Sequence, residues 1–213
     1  MRGGVRRRTL SQDLIVDTAL DLLGKGSLES VSMRRVAMEL NTGAASLYAH
    51  VGNKEELHEL MLDRLLGTVE VPEPDPKRWQ RQLKDVASAQ FAVLTSYPGI
   101  ARVGMETTVP TGPNALLLAE GSLAILRAGG LSDRDAALGF DMLALQVAAL
   151  AVEASADAGA EVAERSAEIG QYMAARAAEF PNLLAVGRFL GESTVEERLD
   201  FAVESLLAGL RRA

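Results

Sequence analysis

The sequence predicts an all-α protein, with a small N-terminal helical domain and a larger helical domain behind it. Three observations carry that expectation. Apolar residues recur at steps of three and four, while β-branched and polar residues never alternate over a strand-sized window. Glycine, proline and asparagine punctuate the chain at helix-sized intervals. The stretch Val71-Pro72-Glu73-Pro74-Asp75-Pro76 sets three prolines in alternate positions, each fixing its own φ and disfavouring helix at the residue before it. Residues 71–76 therefore read as a linker between a domain at 11–70 and one at 77–213, with residues 1–10 as a basic arm.

Helix one is expected to start at Ser11, whose hydroxyl can cap free N–H groups. Asp13 lies in its first turn, and Leu14, Ile15, Thr18, Ala19, Leu22 and Leu23 share one stripe until Gly24 and Gly26 end it. A second helix starts at Ser32, runs through Val36, Ala37 and Leu40, and stops at Asn41-Thr42-Gly43, where Asn and Gly both tolerate the left-handed conformation. A short third helix runs from Ala44 to about Val51. Gly52-Asn53 breaks it, and a fourth from Lys54 puts Leu57, Leu60, Met61 and Leu65 on one face. Beyond the prolines, helices are expected near 77–96, 99–107, 113–128, 133–157, 160–179 and 194–211. Breaks are expected at Pro98-Gly99, Pro110 to Pro113, Gly129-Gly130 and Pro181-Asn182, and capping boxes at Ser132 to Asp135 and Thr194 to Glu197.

Segment 136–152 is apolar nearly all round, and the last helix spreads Leu199, Phe201, Val203, Leu206, Leu207 and Leu210 over more than one stripe. Both need burial on two sides. Either they form a subunit interface, with Leu145, Ala149, Val152, Leu199, Val203, Leu206 and Leu210 in it, or they are the central helices of a monomer.

The composition narrows function. The chain has 213 residues, 48% hydrophobic, enough for a sizeable core. It has no cysteine, which removes disulfides, zinc fingers, iron–sulfur clusters and thiol nucleophiles, and only two histidines, His50 and His58. With no glycine-rich phosphate loop and no Gly-x-Ser-x-Gly, an enzyme is not expected, nor is a cofactor or metal. The basic start is not followed by the apolar stretch of a signal peptide, and Asp141, Gln146 and Glu153 interrupt the greasiest region, so a membrane span is not expected and a cytoplasmic location is. The net charge of −7 speaks against a surface that neutralises phosphates everywhere. It is unevenly placed, however. Residues 1–66 carry nine basic and nine acidic residues, so the whole acidic excess lies behind Leu66, while Arg2, Arg6, Arg7 and Arg8 precede any acid.

The most informative segment is Ser32 to Lys54: helix, three-residue turn, short helix, abrupt stop. This is the layout of a helix-turn-helix that presents its second helix to a major groove. Leu47 and Val51 are spaced to anchor that helix, leaving Ala44, Ala45, Ser46, Tyr48, Ala49 and His50 near the outside. Small side chains let the backbone approach base edges, and an alanine methyl can meet a thymine methyl. Tyr48 and His50 can bond phosphate oxygens. Arg34, beside Met33 at the start of the second helix, can reach a base or a phosphate, and Lys54 with the N-terminus of the fourth helix can hold another phosphate.

The run Leu47-Tyr48-Ala49-His50-Val51-Gly52-Asn53-Lys54-Glu55-Glu56-Leu57 resembles the end of the DNA-binding motif of the tetracycline-repressor (TetR) family, and the likeness covers about residues 11–66. Asn41-Thr42 departs from the usual Gly and β-branched pair, and Ala49 stands where an aromatic is common, so the operator sequence does not follow from the likeness. The later region is similar to the tetracycline-repressor branch at Trp79, at Leu94 to Arg102, at Pro110 and at Leu123 to Leu126 before Gly129-Gly130-Leu131. The resemblance implies a homodimer on a palindromic DNA operator, released when a small lipophilic effector binds the larger domain. It also implies drug-contact positions at Val86, Gln90 and Ser122, to which the pattern adds Phe91, Met105, Leu117, Met142 and Gln146. Gly104 occupies the position of the histidine that helps hold a drug–magnesium chelate in that branch, so no metal-dependent site is expected. A transcriptional activator, or a helical ligand- or protein-binding dimer without operator binding, are the alternatives.

Overall fold

A computed structural model describes residues 9–97, 99–107, 111–155 and 159–210; Arg2, Arg6, Arg7, Arg8, Pro98 and Pro110 lie outside the described residues. These form eleven α-helices: α1 Gln12–Leu23, α2 Met33–Glu39, α3 Ala44–Leu47, α4 Lys54–Leu66, α5 Trp79–Thr95, α6 Ile100–Glu106, α7 Pro113–Ala128, α8 Asp133–Ala154, α9 Gly159–Ala174, α10 Pro181–Glu192 and α11 Val195–Gly209. A 3-10 turn, Leu28–Ser30, joins α1 to α2.

The starts follow local chemistry. Ser11 accepts from the Leu14 N–H at 3.2 Å and Ser32 from the Arg35 N–H at 3.2 Å, each satisfying a helix-end donor. Thr194 and Glu197 form the expected reciprocal capping box. Ser132 and Asp135 do not: Ser132 accepts from the Asp135 N–H, but its hydroxyl donates to the Asp135 carboxylate at 2.9 Å. Aspartate is one methylene too short to reach back to the capping backbone as glutamate does.

Two expectations about elements are corrected. Residues 181–192 are a helix where Pro181-Asn182 was expected to be only a break, because proline at the first helical position sacrifices an N–H that has no partner there anyway. α8 is, by length and composition, apolar enough to cross a membrane. Its inner face, Ala136, Leu143, Val147, Leu150 and Ala151, is buried where α5, α6, α7 and α11 meet, which makes it the core helix of the larger bundle.

One continuous core joins α1 to α8 and α11, and α4 is the element shared between its halves. α4 packs on α1 in one direction and on α5, α6 and α7 in the other. Toward α1, Arg64 pairs with Asp13 and, at 2.7 Å, with Asp17. Toward α7, Asp63 is buried and its carboxylate accepts from Asn114 Nδ2 at 2.8 Å and from the Ala115 N–H at 2.9 Å. The cap residue of α7 is Gly112, which has no side-chain oxygen, so Asp63 caps that helix from across the junction. The linker is held by buried Gln82, which accepts from the Asp75 N–H at 2.8 Å and donates to the Glu73 carbonyl at 2.7 Å. Trp79 opens α5 and packs against Gly129, where an added Cβ would sit 2.5 Å from the indole.

Candidate DNA-reading surface and effector cavity

The turn between α2 and α3 is closed by the backbone. Asn41 takes the left-handed conformation at φ 52°, its N–H bonds to the Met38 carbonyl at 3.1 Å, and the Thr42 N–H bonds to the Ala37 carbonyl at 2.9 Å. This paired arrangement ends a helix wherever a residue at that position tolerates positive φ, as asparagine does. Gly43 does not use its freedom, with φ −82°. α3 is shorter than expected, passing into turn at Tyr48, with the His50 and Val51 N–H groups both bonding to the Leu47 carbonyl at 2.9 Å.

Leu47 and Val51 are buried at 0% and 1% exposure, each worth about 1.5–3 kcal/mol of apolar burial. They fix the orientation of α3, and the opposite side is left open. Ala45, Ser46, Ala49 and Tyr48 are exposed, Ala44 and His50 half-buried. Gln12 Nε2 donates to the His50 carbonyl at 3.2 Å, tying this end of α3 to α1. Arg34 and Arg35 are exposed beside it on α2. Lys54 is half-buried at the start of α4, whose cap Asn53 accepts from the Glu56 N–H at 2.7 Å while Glu56 accepts from the Gly52 N–H at 2.7 Å. Met33 is corrected: this first residue of α2 is buried at 5% exposure in the core that α2 shares with α1, so its side chain is not presented to DNA. His58, half-buried, was not singled out beforehand; its Nε2 has no hydrogen-bond partner among the described residues, and burial and the nearby Lys54 ammonium hold its pKa below the usual value.

Behind the reader, α4, α5, α6, α7 and α8 line a half-open cavity of about 430 Å³, with Met105, Leu116, Asp141 and Leu145 exposed at its rim. Its apolar wall includes Leu62 and Leu66 of α4, Leu94, Met105, Leu116, Phe140 and Leu145, with Gln90, Thr107 and Asp141 as the polar lining residues. Gln90 and Met105 are therefore brought together as the sequence suggests. The rest of the expected set is not on this wall. Val86 and Phe91 are core residues, and Ser122 is buried with its hydroxyl donating to the Leu118 carbonyl at 2.8 Å. Leu117, Met142 and Gln146 are exposed on helix faces that turn away from the cavity. Missed in the sequence were Leu62 and Leu66, since α4 reads as part of the N-terminal domain, and Asp141, which reads only as an interruption of an apolar run. Gly104 lies on the wall and supplies no ligand atom; one carboxylate, one amide and one hydroxyl do not fit a magnesium chelate held through imidazole.

The expected subunit face also changes. Leu199 and Val203 are buried within the chain at 4% and 1% exposure, and Leu206 and Leu210 are half-buried, Leu210 packing over Gly139 of α8. α11 is fixed this way by Lys84 bonding Glu204 at 2.8 Å and by Arg198 pairing with Glu153. Val152 is half-buried and Leu145 lines the cavity. What remains exposed is Leu138, Met142, Leu145 and Ala149 along α8, with Phe201 at 75% exposure on α11.

Comparison with known proteins agrees with this arrangement. Residues 15–61 match the bacterial regulatory proteins, tetR family, and residues 71–213 match the tetracyclin repressor-like C-terminal domain. ActR of Streptomyces coelicolor, in its structure with actinorhodin, is 38% identical with a TM-score of 0.86 over 95% of this chain and 97% of that one. Apo ActR is 40% identical with a TM-score of 0.84. The transcriptional repressor DrrR1 of Streptomyces coeruleorubidus is 36% identical over 126 residues, 59% of this chain and 46% of that protein. Tetracycline repressor protein class E of Escherichia coli is 32% identical over 130 residues, 60% of each chain. The matched segment thus spans about half to three fifths of these curated relatives. The chain belongs to the tetR family of bacterial regulatory proteins, with a tetracyclin repressor-like C-terminal domain.

Proposed function

We propose that this protein is a transcriptional repressor that binds a palindromic DNA operator as a homodimer and releases it when a small, largely apolar molecule enters the cavity. The observation that carries this reading is that α4 belongs to both sites. It packs on α1 of the reading domain, and its last turns, through Leu62 and Leu66, form part of the cavity wall. A ligand that pushes on that wall tilts the reader. Ala45, Ser46 and Ala49 let α3 approach base edges, Tyr48, His50, Arg34 and Lys54 take phosphates, and the exposed apolar stripe of α8 with Phe201 pairs the subunits. Two readers must stand roughly 34–36 Å apart to enter successive major-groove turns, so a tilt of a few ångströms breaks simultaneous docking. A second point of support is that ActR is crystallised both apo and with actinorhodin, and DrrR1 is described as a repressor.

Fluorescence anisotropy with the DNA upstream of the protein's own gene tests the reading. Saturable binding to a palindrome that Tyr48→Ala and Lys54→Ala each weaken is expected; absence of binding to any nearby palindrome at low salt would refute it.

A further inference from the structure

We infer that α1 carries movement of α4 to the reading helix, with Arg64 and Gln12 as the positioning residues at the two ends of that link. The inference rests on the assignment of α3 as the reader and adds the route by which α4 reaches it. α3, Ala44–Leu47, is a single helical turn, too short to hold its own direction. Leu47 and Val51 anchor its back, and its broad packing is on α2. The carbonyl groups at the end of such a turn lack partners within the helix. The His50 carbonyl finds one in Gln12 Nε2 at 3.2 Å, from 38 positions earlier in the chain.

Gln12 is the first residue of α1. The next residue, Asp13, and Asp17 one turn on are both held by Arg64 of α4, Asp17 at 2.7 Å. Each terminal nitrogen of the guanidinium takes one carboxylate, so the planar fork fixes α1 in rotation as well as in position. Arg64 is half-buried and both of its partners are exposed. Exposed ion pairs add little to stability, so what this fork supplies is geometry. Arg64 also lies between Leu62 and Leu66, which line the cavity. A displacement at this end of α4 is therefore delivered to the opening turn of α1, the turn whose Gln12 holds the reader. The other tie between α4 and the reader, Glu56 accepting from the Gly52 N–H, sits at the opposite end of α4.

Hydrogen–deuterium exchange of the full chain, without DNA or ligand, tests the link. The His50 and Val51 N–H groups both bond to the Leu47 carbonyl, so their exchange reports how firmly the end of the reader is held. Gln12→Ala and Arg64→Ala should each speed that exchange about threefold or more, leave the amides of α2 unchanged, and lower Tm by no more than about 3 °C. The double variant should exchange no faster than the faster single one, because both substitutions break one chain of contacts in series. Operator affinity should fall about fivefold in each single variant with the slope of log K against log salt unchanged, since neither residue neutralises a phosphate. Exchange at His50 and Val51 unmoved by Arg64→Ala, effects that multiply in the double variant, or a salt slope lowered by Arg64→Ala would overturn the inference. If the wild-type chain binds no operator, the repressor reading falls, while the exchange rates still decide whether α1 links α4 to α3.

Discussion

Replacing Asp63 by alanine probes the junction on which the coupling depends. The carboxylate is buried and accepts two hydrogen bonds, from Asn114 Nδ2 at 2.8 Å and the Ala115 N–H at 2.9 Å. Hydrogen bonds to a charged group contribute ~1.5–3 kcal/mol each, and interaction with a helix N-terminus adds ~0.3–1 kcal/mol. Against this stands relief of the cost of burying the carboxylate, so a net loss of ~2–4 kcal/mol is expected for Asp63→Ala. In a chain of this length each kcal/mol moves Tm by ~2–4 °C, placing the shift at about 5–15 °C when measured at fixed protomer concentration. Gly112→Ala gives an independent route to the same defect, because its Cβ would lie 2.1 Å from Asp63 Oδ1 and must displace the carboxylate. Both variants should also weaken the effect of ligand on operator affinity, measured by anisotropy. A melt within 2 °C of the wild type for Asp63→Ala, with ligand response intact, would refute the argument.

At the reading surface, Arg34→Ala and Lys54→Ala should each weaken operator binding about tenfold and lower the slope of log K against log salt by ~0.9 if each neutralises one phosphate, a result read from anisotropy at several salt concentrations. Met33→Ala should instead lower thermal stability by ~2–5 kcal/mol and leave the salt slope unchanged. Met142→Asp and Phe201→Asp should yield monomers in sedimentation without loss of helix signal, whereas Val203→Asp should unfold the chain. For His58, burial holds the folded-state pKa below the unfolded value near 6.5, so the unfolded chain binds the extra proton first. Its contribution to stability is complete above that value and is lost as pH falls toward the folded-state pKa; denaturant melts should show His58→Gln flattening this part of the pH profile.

The DNA-reading end was legible in the sequence because local rules decide it. Ser11 and Ser32 cap, Asn41 takes the left-handed turn, and Leu47 in α3 with Val51 just beyond it supply the apolar anchors. Met33 was misplaced because a position next to a capping residue can face either way, and only packing against α1 decides. The cavity was less legible because its walls come from five helices whose mutual rotation is set by tertiary contacts. Leu62 and Leu66 look like ordinary core of the first domain, and Asp141 like a solvated interruption, until α4 and α8 are seen to face the same space. The last helix shows a related limit: an apolar stripe specifies burial but not the partner, and Leu199 and Val203 find theirs inside the same subunit. Asp63 illustrates the strongest non-local effect, since nothing near Gly112 in sequence announces that its cap comes from α4.

The most direct test of the central claim is operator affinity measured with and without a saturating concentration of a small apolar probe, selected because it raises the melting temperature of the chain, together with that probe's affinity measured with and without operator. The account predicts that operator affinity falls about 5–150-fold and that probe affinity falls by the same factor when operator is bound, because one coupling free energy governs both. An operator affinity unchanged by bound probe would contradict it.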